Sequence, residues 1–489
     1  MTTEDRPAPK VAFPETDHAA LGPPVDAKLA QAECAARPLK HASRLHAVVS
    51  QLLAASGRRA EAIERLLSAL ALPPGSAQDC EALGFVAFGL GQHQVARELY
   101  ARVTDMLPRD ATAWYNLATG ERSMGDLKAA EAASSKAITL DPQLFQLYLF
   151  RSQLFVQTAS TNHVTEVREA LRVNRNAAAA QIFLNYALGK ELDDLGRYDE
   201  AYAHFALGAR SRRDGMRYDL DRDLAKLSRI AEVFDNQTLQ RTAAIGGSER
   251  FAFIVGLPRS GTTLIERLLT GHPRVRSNGE TDTFSTALLR NLPASADDVF
   301  WRAAQADLDK VASAYANAVG HSADPRLVLE KLPLNYLYAG SIHMALPRSK
   351  IILVRRGAVD NCFAMFSTLF GTAYPFSYDF GELAAYYAAY DALVSHWKSC
   401  LSDQLLEVSY EDFVRDPAGI GPVVASHLVL DWRPEMLKIE NNATSSATES
   451  AAQIRRPIYR SAVGRWRNYS DHLKPLIHAL ASQGVPIEP

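Results

Sequence analysis

The stretch FIVGLPRSGTTLIERLL, residues 253–269, decides how the second half of this chain is read. A short apolar run turns through Gly-Leu-Pro-Arg-Ser-Gly into a helix whose Leu264, Ile265, Leu268 and Leu269 share one face. A strand that turns through glycine into a helix start aims several backbone N–H groups at one point, and the helix dipole adds positive potential there. Gly256 and Gly261 let the backbone close around an anion, while Ser260, Thr262 and Thr263 offer hydroxyls. The fork of the Arg259 guanidinium matches phosphate oxygens. No lysine precedes the threonine pair, so the loop is not a Walker A motif, which weighs against a nucleoside triphosphatase.

Outward from this loop, FAFIVG (251–256), RLVLE (326–330), KIILV (350–354) and LLEVSY (405–410) are short β-branched runs separated by helical-length segments. That alternation predicts a parallel sheet covered by helices. Glu280 lies in SNGETDTF, after the short strand RVRS, in a loop beside the anion cradle. Lys331 comes directly after RLVLE, at the carboxyl end of a strand, where α/β sheets bind ligands, and Asn335 orders the same loop. In KIILVRRGAVDNCFAMF (350–366), Arg355 and Arg356 stand between a strand and the next helix. Tyr410 ends the strand of VSYEDFVRDP (408–417). AAQIRRPIYRSAVGRWRNY (451–469) gathers Arg455, Arg456, Arg460 and Arg465 in a short span suited to an anion.

The first half reads differently. Residues 1–35, rich in proline, alanine and acidic residues without periodicity, are expected to form a disordered tail. Residues 36–215 are rich in alanine and leucine and carry a fixed period. Gly57, Gly91 and Gly125 recur every 34 residues, as do Pro74, Pro108 and Pro142. Ala62, Ala96 and Ala130 follow the glycines where helices must approach closely, and each proline ends a helix because it lacks an N–H. With WYNLA at 114–118, this pattern resembles the tetratricopeptide repeat, whose arrays present a concave surface to a peptide or protein partner. DDLGRYDEAYAHF (193–205) reads as a further helix pair, and 147–178 as a degenerate repeat that keeps the length and loses the markers. Residues 216–248 are read as a linker helix, and 249–489 as the α/β domain.

Composition bounds the class. The 489 residues are 47% hydrophobic and 22% charged, which is globular, and 53 basic against 55 acidic side chains leave no global field for nucleic acid. Cys34, Cys80, Cys362 and Cys400 form no Cys-x-x-Cys, and no metal ligand set is expected. No apolar run reaches the length of a membrane span, and the N-terminus lacks the pattern of a secretory signal. A cytoplasmic protein is the expectation.

The loop GLPRSGTTLIERLL resembles the 5′-phosphosulfate loop of sulfotransferases, in particular the tyrosylprotein branch and bacterial proteins that join tetratricopeptide repeats to a sulfotransferase domain. The resemblance implies a P-loop-like fold over 249–489 that moves a sulfuryl group from 3′-phosphoadenosine 5′-phosphosulfate to a hydroxyl, with no metal required. It implies that Arg259, Ser260, Gly261, Thr262 and Thr263 hold the 5′ side and that Arg356, with Arg355 adjacent, meets the 3′-phosphate. Tyr410 would then lie near the adenosine, and Arg456 in a lid that closes with Gly464 and Trp466. Glu280 becomes the general base, with Asp282 and then His272 behind it, and Lys331 stabilises the leaving phosphate. Where the family usually places serine eight residues after the 3′-phosphate arginine, this chain has Ala364, and Ser367 or Asn361 is the expected substitute. The acceptor is a protein or peptide tyrosine, a saccharide or a small molecule. The alternatives are a nucleotide kinase or hydrolase, and a repeat scaffold with an inactive transferase domain.

Overall fold

The computed structural model describes Lys28 and residues 43–487, apart from 56–57, 72–74, 245, 321–323, 443–457 and 461. The alanine-rich half folds into helix pairs: α1 Ser43–Ala55 with α2 Arg59–Leu70, α3 Ala77–Gly89 with α4 His93–Met106, and α5 Ala111–Met124 with α6 Leu127–Leu140. Gly91 and Gly125 turn the chain between paired helices at φ of 72° and 88°, a left-handed conformation that a Cβ disfavours. Ala62, Ala96 and Ala130 are fully buried, as the close approach of paired helices requires. Pro108 and Pro142 stand just past α4 and α6; Gly57 and Pro74 lie outside the described residues.

The markers fade in the next pair, α7 Gln146–Leu154 and α8 Val164–Val173. Its connection, 155–163, is held from α9 Ala178–Asp194 instead. The buried Glu191 carboxylate accepts from Ser152 Oγ at 2.6 Å and from the His163 amide at 2.6 Å, and Asp194 accepts from the Gln157 amide at 2.8 Å. Side-chain acceptors thus satisfy a longer turn that a glycine would otherwise close. The last pair sets α9 against α10 Tyr198–Asp214 through Gly196, as the DDLGRYDEA turn predicts.

Beyond α11 Leu220–Val233, the chain alternates as its apolar runs predict: β1 Phe251–Gly256, α12 Thr262–Thr270, β2 Val275–Ser277, α13 Thr283–Arg290, α14 Val299–Ala304, α15 Leu308–Ala318, β3 Leu327–Lys331, α16 Ala339–Ala345, β4 Lys350–Arg355, α17 Ala358–Phe366, α18 Phe380–Cys400, β5 Leu405–Ser409, α19 Tyr410–Arg415, α20 Pro417–His427 and α21 Lys474–Ser482. The strands pair in parallel in the order β2-β3-β1-β4-β5. Side chains alternate across them. Ala252, Ile254, Ile352 and Val354 pack with α12, α19 and α20, while Phe251, Phe253, Ile351 and Leu353 face the α13 and α15–α18 side.

That second face belongs to one apolar cluster that begins at Ala118 in α5, runs through α6–α11 and ends at Val485. Residues Ala47–Ala113 form a cluster of their own. The expected linker helix is part of the larger one: Leu227 and Ile230 of α11 are buried, and the helix packs along α18. No helix among the described residues is long and apolar enough to cross a membrane.

Candidate functional site

Strand β1 is central, and from it the chain reaches β2 and β3 on one side and β4 and β5 on the other. The crevice at the carboxyl end of β1 is therefore where a ligand fits. Residues 257–261 fill it. Arg259 has φ 66°, in the left-handed region where a bulky side chain is strained, a cost met chiefly at functional turns. Gly261, at φ 105°, is required on a second ground: a Cβ there would stand 2.5 Å from Tyr410 Cδ2. Ser260, Thr262 and Thr263 are buried, and Ser260 Oγ has no hydrogen-bond partner among the described residues. A buried hydroxyl at a helix start without a partner fits a place for an anion's oxygen.

On the β3 side, Lys331 is the last residue of its strand rather than the first beyond it. Its ammonium is fully buried, pairs with Glu280, lies 3.6 Å from Glu266 Oε2 and donates to Thr263 Oγ1 at 3.3 Å. Burial pulls the ammonium's pKa down, and the Glu280 and Glu266 carboxylates more than offset this, so it stands above the ordinary lysine value. Register brings the two together: the Asn278 amide bonds Leu329 O at 2.9 Å, and the Lys331 amide bonds Gly279 O at 3.2 Å. Ser277 Oγ donates to Glu266 Oε1 at 2.5 Å, fixing the second carboxylate. Sequence reasoning missed Glu266. Its signal was there, since it stands three residues after Thr263 and so on the same helix face.

Pleat alternation sends Glu330 to the opposite face from Lys331. It is fully buried, accepts from Asn335 Nδ2 at 2.9 Å, and burial pushes its carboxyl up to about 8. Asn335 is thus tied to Glu330 rather than to the lysine. His272 is out of place as a base: it is buried, with Nε2 3.1 Å from Asp431 Oδ1 and Nδ1 accepting from the Arg274 amide. Asp282 stands just before α13 and is half-buried.

The β4 side is cationic. Arg356 lies 5.1 Å over the Tyr410 ring and donates to Arg259 O at 3.3 Å and to Ala462 O at 2.5 Å. Its side chain is buried, 9% exposed, with Asp360 Oδ1 at 3.7 Å. Burial, ahead of all charge effects, pushes the Tyr410 phenol up to about 12. Arg355, the adjacent candidate, pairs with Asp391. Both proposed substitutes at Ala364 make hydrogen bonds of their own. Ser367 Oγ bonds back to Phe363 O at 2.9 Å, and Asn361 Nδ2 donates to Pro258 O at 2.8 Å, steadying the loop itself. Gly464 and Trp466 are fixed by Asp360, whose oxygens accept from their amides at 2.5 and 3.1 Å. Arg455 and Arg456 lie outside the described residues, and Arg460 donates to Arg415 O at 2.6 Å.

The site is thus a glycine- and hydroxyl-bearing loop between an ammonium–carboxylate cluster and a buried guanidinium on a tyrosine. Residues 252–434 match the sulfotransferase family, and residues 111–144, the pair α5–α6, match the tetratricopeptide repeat. An uncharacterised protein of Aquifex aeolicus is 27% identical over 377 residues, covering 73% of this chain and 48% of that protein. The protein-tyrosine sulfotransferase A of Caenorhabditis elegans is 26% identical over 233 residues, covering 44% of this chain and 60% of that protein. The chain spans about half the length of these curated relatives. Among solved structures, the sulfotransferase domain of the Synechococcus PCC 7002 olefin synthase aligns with a TM-score of 0.34 and 19% identity, over 49% of this chain and 95% of that one. Residues 252–434 are thus similar to the sulfotransferase family, and the pair α5–α6 before them to the tetratricopeptide repeat.

Proposed function

We propose that this protein transfers a sulfuryl group from 3′-phosphoadenosine 5′-phosphosulfate to a hydroxyl, with protein tyrosine the leading acceptor and saccharides or small molecules the alternatives. The observation that carries the reading is that one buried ammonium, Lys331, reaches both the loop hydroxyl of Thr263 and the Glu280 carboxylate. It links the anion cradle to a group able to take a proton.

In this reading the donor supplies the sulfuryl group and departs as adenosine 3′,5′-bisphosphate. The loop 259–263 holds its 5′ side through backbone N–H groups, hydroxyls and Arg259, and Ser260 Oγ gains the partner it lacks. Arg356, set over the Tyr410 ring, meets the 3′-phosphate, and Arg456 is assigned to the lid over the donor from the resemblance alone. The acceptor oxygen forms the new O–S bond as the S–O bond to the phosphate breaks, and the acceptor's proton passes to Glu280. Lys331 offsets charge that develops on the bridging oxygen, and preorganised cations of this kind act strongly where water is excluded. The relative named as a protein-tyrosine sulfotransferase supports tyrosine, and a repeat segment supports a polypeptide acceptor.

The test is calorimetric titration with adenosine 3′,5′-bisphosphate, adenosine 5′-phosphate and magnesium–ATP, paired with turnover of a tyrosine peptide. The bisphosphate should bind about tenfold or more tighter than the monophosphate, as one extra charged contact implies. Glu280→Gln should keep that binding and lose about 10²–10⁴-fold in turnover. Preference for magnesium–ATP would replace this reading with a kinase, and Glu280→Gln with full turnover would remove Glu280 as the base.

A further inference from the structure

We infer that Asp193, a residue of the repeat half, is a positioning residue for Arg356, acting through the C-terminal strap 462–472. This rests on the proposed role of Arg356 at the 3′-phosphate.

The contacts form a continuous chain. Arg356 Nη2 donates to Ala462 O, and Asp360, which flanks the same guanidinium, accepts from the Gly464 and Trp466 amides. Arg465, between those two residues, pairs with Asp193 near the end of α9. The other Asp193 oxygen accepts from Tyr469 Oη at 2.6 Å. Tyr469 is 1% exposed, and its ring lies 4.3 Å from Phe363 of α17 and 5.3 Å from Tyr198 of α10. Further on, the His472 ring stacks on Tyr202 at 4.4 Å and Nε2 meets Asp199 at 2.7 Å.

The strap has little internal structure to hold it. Its one regular element is the single 3-10 turn Arg465–Tyr469, too short to fix its own place. Its position is therefore set from two sides, by Asp360 and Phe363 on the transferase side and by α9–α10 on the repeat side. Asp193 is the buried charged group on the repeat side, 10% exposed and bonded twice, whereas the Asp199 that meets His472 is exposed. Without it, the Arg465 guanidinium and the buried Tyr469 hydroxyl lose their acceptor, and the strap loses the tie that keeps Ala462 O against Arg356. The repeat half thereby shapes the nucleotide site directly, beyond any part in holding an acceptor.

The experiment compares the full chain with Asp193→Ala, with Tyr469→Phe as a milder variant and Glu200→Ala as a charge-loss control at an exposed position of α10. Hydrogen exchange at 462–469 is measured without nucleotide, and affinities for adenosine 3′,5′-bisphosphate and adenosine 5′-phosphate are measured by calorimetry. Asp193→Ala should speed exchange across the strap and cut the bisphosphate-to-monophosphate affinity ratio about tenfold, leaving the monophosphate unchanged. Tyr469→Phe should move both readouts the same way by less, and Glu200→Ala should move neither. Unchanged exchange would overturn the clamp whatever the nucleotide does, and faster exchange with an unchanged ratio would overturn the positioning role. A wild-type ratio near one would overturn the assignment of Arg356 and this inference with it, whereas a wild-type preference that Asp193→Ala retains would overturn this inference alone.

Discussion

Two stretches of the repeat half are both built of helix pairs and behave differently in the fold. The outer pairs α1–α4 bury their apolar residues in a separate cluster, Ala47–Ala113, whose last member lies on α5. The inner helices from α5 onward share one cluster with the sheet. Tyr186 Oη of α9 donates to Phe366 O at 3.1 Å, Arg212 Nε of α10 donates to Gly371 O at 2.9 Å, and Arg213 grips Glu382 with both ends of its fork at 2.6–2.8 Å. The lesson is that a repeat array need not be a separable module. Its last pairs here wall the α/β core, because a helix pair buries its apolar face on whatever stacks next to it.

The sharpest way to break that contrast is by deletion. Removing 178–215 should abolish the cooperative unfolding of the whole chain and nucleotide binding with it, since Phe366, Phe380 and Tyr469 lose their cover. Removing 1–109 should leave the main transition and binding within about twofold of the parent, the scale of changes remote from a shared core. Circular dichroism melts and calorimetry read both. A folded, nucleotide-binding chain without 178–215 would make the repeats an independent domain after all.

A smaller effect comes from Glu330, which meets Phe284 and Tyr315 of the shared cluster. Burial holds its pKa at about 8 against an ordinary 4.5, so the folded state keeps a proton that the unfolded state has released. The stability this group contributes is complete below about pH 4.5, falls as pH rises and is gone above about pH 8. The slope is at most about 1.4 kcal/mol per pH unit. Glu330→Gln should flatten that decline in the main transition, measured as the midpoint between pH 5 and 8. An unfolding step of the outer pairs should show no such difference; if it does, the two clusters are one cooperative unit.

Matched glycines give the finest test. A Cβ on Gly84, in α3, would meet the Tyr100 ring at 2.7 Å, and one on Gly189, in α9, would meet the Phe205 ring at 2.6 Å. Overpacking of this kind costs about 1–3 kcal/mol, offset in part by alanine's helix propensity of about 1 kcal/mol. Gly189→Ala should lower the main midpoint, whereas Gly84→Ala should lower only an early step confined to the outer pairs. Equal shifts in one transition would erase the distinction.

Much of this molecule is legible in its residues alone. The 34-residue spacing of glycine and proline places the helix pairs, because turns and helix ends are local events governed by a few backbone dihedrals. The β-branched runs at 251–256, 326–330, 350–354 and 405–410 place the strands within a residue for the same reason. Glycine, hydroxyl and arginine after the first strand mark the anion loop, and Glu266 was within reach through helical spacing from Thr263. Partnership across the chain was decided elsewhere. That Lys331 is shared by Glu280 and Glu266, that Arg355 spends its charge on Asp391, that His272 serves Asp431, and that Asp193 reaches across 272 positions to Arg465 all depend on which elements pack together. Side-chain pairing over such separations follows from the burial of apolar faces, a property of the assembled core that no local stretch of residues encodes by itself.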